Sequence, residues 1–216
     1  MYKRQGIPLG ILAASRRKSK LDIFIIGSGL LTRAAPSFFI QLLSLLLFVN
    51  YLNWFPYGSI TSIPPPKDPF TYMVDVIWHL FLPVSTLVLI GFGFWALYSR
   101  NLMLDTLTQD FILTARAKGV KERKVLYHHA FRAILPPVFT IIAMALPGLF
   151  TGAVLTEIIF AWPGMGWWLF QATMNYNYPV VQAVFFIYAI LMVGVNYISD
   201  ILYSFLDPRI RLGIRR

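Results

Sequence analysis

The chain contains no cysteine, which excludes disulfides, thiolate nucleophiles and cysteine metal sites. Charge is scarce too. Asp, Glu, Lys and Arg make up 13% of the 216 residues, about half of the roughly 25% usual in a soluble domain. Acidic residues number nine against 19 basic ones. The three histidines, His79, His128 and His129, show no usual metal-ligand spacing. No G-x-x-x-x-G-K-[ST] loop occurs, so the backbone cradle that holds nucleotide phosphates is missing. With no clustered nucleophile or ligand set, an enzyme of any familiar class is not expected.

What the chain has is apolar length. Hydrophobic residues make up 57%, mean hydropathy is +0.64, and several uncharged runs approach the roughly 20 residues needed to cross a bilayer as helix. These runs predict an all-α, polytopic membrane protein with spanning helices at about 23–52, 80–99, 133–156 and 180–199. Arg33 interrupts the first, and Ala34–Leu52 alone supplies 19 uncharged residues. At that depth an arginine either snorkels towards the headgroups or faces the protein interior. Gly6–Ala14 is too short to span. It reads either as an amphipathic starter segment or as the remnant of a preceding helix, with no signal-peptide pattern around it.

The net charge of +10 raises the question of nucleic acid, but its placement argues against that partner. Lys and Arg gather at 3–20, 100–132 and 209–216, between or beyond the apolar runs. If both ends lie inside, 17 basic residues fall on internal segments, Lys67 alone on the external ones, and Arg33 within the membrane. By the positive-inside rule this predicts a cytoplasmic C-terminus and a cytoplasmic 100–132 loop. The 51–78 loop, with Pro64-Pro65-Pro66, and the aromatic stretch 158–179 then face outward, where Trp54, Tyr57 and Tyr72 suit the interfacial belt.

Polar residues near the apolar runs (Gln41, Asn50, Asn175, Gln182, Asn196) are candidate points on a solute path or, one by one, ordinary helix–helix hydrogen-bonding groups. Glu157, ending an apolar run, is expected to cap the external turn or line an entry path. Asp105, Asp110 and Glu122 read as salt-bridged surface. The loop DFILTARAKGVKERKVLYHHAFR (110–132) is the most informative segment. Ala115, Gly119 and Arg123 are four apart and would share a stripe on one helix. Gly119 among good helix formers points to a break between two short helices or to close approach of another protein. On composition alone the loop also fits a basic segment drawn to anionic headgroups.

At Thr114-Ala115-Arg116-Ala117-Lys118-Gly119, running on to His129 and Arg132, the chain resembles the permease subunits of binding-protein-dependent ABC importers, in the dipeptide/oligopeptide/nickel branch. Glu157-Ile-Ile-Phe-Ala-Trp-Pro-Gly-Met-Gly166 resembles the family's E-x-x-F-x-x-P-G-x-G segment, and Asp200 through Asp207-Pro208-Arg209 its exit from the last helix. The order Phe131-Arg132 before Leu135-Pro136 resembles the oligopeptide B-type subunit.

The resemblance implies a single type I transmembrane permease domain over 1–216, lacking the first helix and large external region that precede Gly6 in B-type subunits. Ala115, Arg116, Ala117, Gly119 and Arg123 would couple to an ATPase subunit, docking through the Ala115/Gly119 stripe with basic side chains on its rim. Glu157, Trp162, Pro163, Gly164 and Gly166 would form an external interface, against the membrane or the binding protein. The implied partners are a second permease, two ATP-hydrolysing subunits, an extracytoplasmic solute-binding protein, a small peptide-like solute and membrane lipid, in a bacterial or archaeal inner membrane. No cofactor would bind this chain, ATP and Mg being used by the partner subunits. Nickel chelates and glycosides are alternative cargoes. An ATP-independent secondary transporter is the rival class, though it calls for buried ionisable residues and inverted repeats.

Overall fold

The computed structural model describes residues 2–145 and 153–206, and every regular element among them is helical. In chain order these are α1 (Tyr2–Ser15), α2 (Lys20–Ala34), α3 (Ser37–Ser44) running into a π-helical segment (Leu45–Tyr51), α4 (Pro69–Leu107), α5 (Asp110–Ala117), α6 (Glu122–Lys124) continuing as a second π-helical segment (Val125–Ala130), α7 (Phe131–Met144), α8 (Val154–Ile159), α9 (Met165–Met174) and α10 (Tyr178–Leu206). An all-helical outcome is what lipid imposes, since a helix satisfies its backbone polar groups within one segment.

Three helical stretches are long and apolar enough to cross a membrane: Pro69–Leu107, Glu122–Ile142 and Tyr178–Ile198. A fourth candidate is the pair Lys20–Ala34 and Ser37–Tyr51, bent by 98°. The bend falls at Ala35-Pro36, where proline lacks the N–H that would continue the ladder. The protein is thus a multi-pass membrane protein. The helix holding the expected 80–99 span is longer than that span at both ends, passing through Arg100 to Leu107. Of the expected 133–156 helix, α7 covers the part to Met144 and α8 is separate. Residues 146–152, with Pro147, lie outside the described residues, as do 207–216 and the Asp207-Pro208-Arg209 motif.

The chain divides into two compact units. One comprises residues 2–34, 91–145 and 197–206. It packs α1 beside α5 and the second π-helical segment around Ile11, Met103, Ile112, Ala115, Val125 and Ile134, with Ala13, Ile25 and Ala96 closing a smaller cluster. The other comprises residues 35–90 and 153–196 and centres on Leu45, Val49, Leu82 and Phe160. Residues 69–90 of α4 belong to the second unit and 91–107 to the first. Large apolar side chains on α10, among them Phe185, Phe186, Ile190 and Val193, are exposed, and only 6% of its most apolar stretch is buried. That surface suits lipid or another protein rather than water.

Candidate functional site

The first candidate site is built around Gly119. α5 begins on Asp110, whose carboxylate suits the positive end of the helix dipole, and ends after Ala117. The Gly119 N–H donates to Arg116 O at 2.9 Å and the Val120 N–H to Ala115 O at 3.2 Å. This is a Schellman stop, and it places Gly119 at φ +76°, where a side chain is strained. A Cβ at this position would meet nothing within 4 Å. The glycine therefore serves the backbone turn and not a close approach within the chain.

That turn is the break between two short helices offered for Gly119, and it keeps Ala115, Gly119 and Arg123 from sharing one helical stripe. Ala115 is 7% exposed and packs in the first unit's own core, while Gly119 and Arg123 are exposed beyond the break. Arg116 is pinned across the turn, Nε donating to Glu122 Oε2 at 3.1 Å and Nη2 to Oε1 at 2.7 Å. This bond to Glu122 raises the Arg116 pKa further, so its charge is held and partly compensated. Ala117, Gly119, Arg123, Lys118, Lys121 and Lys124 remain on the open surface.

The second candidate site is organised by Glu157. α8 ends in the same kind of stop, with the Ala161 N–H donating to Ile158 O and the Trp162 N–H to Glu157 O at 2.8 Å. Here an alanine takes the left-handed position, Ala161 at φ +46°. The chain then turns through Pro163-Gly164 and enters α9. Glu157 Oε2 accepts the Trp167 N–H at 3.0 Å, so a carboxylate ten residues upstream satisfies a backbone donor in the first turn of α9. A Cβ on Gly164 would collide with that carboxylate, and one on Gly166 would sit 2.7 Å from Val154 Cα. The E-x-x-F-x-x-P-G-x-G spacing is thus a self-contained clasp. Trp162 is half-buried, Pro163 exposed and Gly166 buried.

Of two further buried contacts, the first lies outside the residues singled out from sequence and the second falls on one of them. Asp22, 2% exposed, accepts both Arg100 Nε at 2.6 Å and Nη2 at 2.9 Å. Its only sequence signal was an acid among bases, at the third position after Ser19, whose Oγ accepts the Asp22 N–H. Gln41, 1% exposed, donates Nε2 to Thr156 Oγ1 at 2.7 Å, which is the helix–helix bonding weighed for it. Arg33 is exposed, with its guanidinium 5.9 Å from the Phe94 ring centroid. No group of three or more His, Asp or Glu side chains is placed to hold a metal ion among the described residues.

Residues 6–212 match the family described as the binding-protein-dependent transport system inner membrane component. The chain belongs to this family. It is 40% identical over 205 residues to the oligopeptide transport system permease protein AppB of Bacillus subtilis, covering 95% of this chain and 64% of that protein. It is 34% identical to the dipeptide transport system permease protein DppB of Escherichia coli, covering 95% and 66%. It is also 35% identical to the peptidoglycan transport system permease protein YejB of Agrobacterium fabrum, covering 95% and 57%. The chain therefore spans less than two thirds of the length of the Bacillus relative. The family match includes both candidate sites, the Gly119 turn and the Glu157 clasp.

Proposed function

We propose that the protein is the membrane-spanning permease subunit of an ATP-driven, binding-protein-dependent importer, with di- or oligopeptides as cargo. The observation that carries this reading is family membership over 6–212 together with relatives named for oligopeptide and dipeptide transport. In this reading the protein performs no bond chemistry. Two ATP-hydrolysing subunits use ATP and Mg, a second permease completes the pathway, and an external binding protein delivers the solute. The distribution of Lys and Arg supports an inner membrane orientation with the C-terminus and the 100–132 loop in the cytoplasm.

The coupling surface is the exposed edge of the Gly119 turn, where Ala117, Gly119 and Arg123 are open to a partner and the Arg116–Glu122 pair stiffens the turn. Ala115 contributes from below, by fixing α5 on the permease's own core. Glu157, Trp162, Pro163, Gly164 and Gly166 form the external clasp, which sets the path of the chain into α9 and exposes Trp168 beside it.

The test is co-expression with the companion permease and ATP-hydrolysing subunit, followed by detergent co-purification. Gly119→Trp is compared with Gly119→Asn, because asparagine tolerates the left-handed turn and tryptophan adds bulk at the surface. Loss of the ATPase with tryptophan but not asparagine is expected. Equal retention by both variants would remove the Gly119 edge from the coupling surface. Failure of the unmodified chain to bind the ATPase would count against the importer reading for this chain.

A further inference from the structure

Lys121, Arg123, Lys124 and Tyr127 line a cavity of about 380 Å³. Tyr127 also lines a second, apolar cavity of about 410 Å³ with Ile7, Pro8, Ile11, Leu12 and Phe131. The first cavity is walled by the apolar stems of its basic residues, whose charged heads stand exposed at its rim, and it shares with the apolar groove one wall, a tyrosine that is 52% exposed. We infer that this composite is a binding site for an anionic phospholipid, its phosphate at Lys121 and Lys124 and one acyl chain along Ile7, Leu12 and Phe131.

Three observations select this occupant. The basic residues stand at the start of the apolar stretch Glu122–Ile142, the depth at which headgroup phosphates and interfacial tyrosines lie. Their positive charge is open, because Glu122, the acid among them, is held by Arg116 at 2.7 Å. A soluble anion would use the basic rim alone and leave the groove empty, whereas a lipid fills both halves and puts the polar–apolar boundary at the Tyr127 ring. The inference rests on the chain being a membrane protein and does not depend on its cargo or its ATPase.

The experiment uses the full chain, purified in mild detergent and stripped of native lipid, and titrates tail-labelled phosphatidylglycerol against phosphatidylcholine with the same tails. Phosphatidylglycerol is expected to bind at least about tenfold more tightly, since each nearby cation adds to the attraction for an anionic headgroup. Lys121→Gln/Lys124→Gln should abolish the preference, and Lys121→Arg/Lys124→Arg, with charge retained, should keep it. Leu12→Ser should weaken both lipids alike. Equal affinity of the unmodified chain for the two lipids overturns the proposal, as does displacement of bound lipid by millimolar glycerol phosphate, which would mark a site for a free anion. A preference that survives the glutamine pair while binding of an ATP-hydrolysing subunit is lost would assign the lysines to protein docking, and also overturns it.

Discussion

Asp22 and Arg100, 78 positions apart, meet in a two-pronged ion pair at 2.6 and 2.9 Å, with the Asp22 side chain 3% and the Arg100 side chain 14% exposed. The pair ties the start of α2 to α4. Removing one partner of such a pair leaves a buried charge alone, at a cost of about 3–5 kcal/mol. Asp22→Ala and Arg100→Ala are each expected to lower the midpoint of denaturant unfolding strongly. The double variant should lose much less than the sum of the two, because neither charge is then stranded. Additive losses would show that the pair does not act as a unit.

Gly119 sits at φ +76° in open space, so an alanine there meets strain without a clash. Gly119→Ala should cost about 1–2 kcal/mol, and Gly119→Asn less. The readout is unfolding stability together with proteolysis in the 118–121 turn, which should quicken for alanine before asparagine. A stabilising Gly119→Ala would contradict the left-handed turn.

At the external clasp the Glu157 carboxylate and Gly164 occupy neighbouring space. Glu157→Ala should cost about 1 kcal/mol through loss of the cap on α9. Gly164→Ala should cost more in the native background than in the Glu157→Ala background, where the colliding carboxylate is gone. A thermal-melting double-mutant cycle measures that coupling, and a coupling of zero would refute the clasp geometry.

Asp68 caps the start of α4, accepting the Thr71 N–H at 2.9 Å and the Thr71 hydroxyl at 3.0 Å. The backbone bond from Thr71, then its hydroxyl, holds the carboxyl below its ordinary value of 3.8. A depressed carboxylate stabilises the folded form fully above that ordinary value and stops doing so as pH falls through its lower folded value. Exchange of the Thr71 amide should therefore be protected at pH 5, still protected at pH 3.8, and lose that protection only as pH falls through the lower folded value, whereas Asp68→Asn should flatten the response. Protection independent of pH in the unmodified chain would exclude the carboxylate cap.

The all-helical, membrane-spanning character was legible because lipid leaves the sequence few options: long uncharged runs, proline-marked breaks and basic flanks are each imposed by the solvent. The family motifs were legible for a similar reason. In E-x-x-F-x-x-P-G-x-G the glutamate and both glycines serve one local clasp and Phe160 anchors it in the core of its unit, so the pattern reads as a short string. The Ala115-to-Arg123 stripe failed because spacing by four presumes one helix, and a single glycine in the left-handed region ended it. The course of α4 past residue 99 was not legible either. Arg100 reads as a boundary until its partner 78 positions earlier is known, and no period or motif links the two. Ala161 in the left-handed position was equally hidden, since alanine carries no turn signal of its own.

The 39 residues of α4 also carry a geometric consequence. At about 1.5 Å per residue the helix is about 58 Å long, whereas a bilayer is about 40–45 Å thick with its headgroups. Even a tilt near the upper end of the usual range, about 40°, barely shortens it to fit. At ordinary tilts its contour exceeds the lipid by two turns or more, and those turns must be covered by water or by protein.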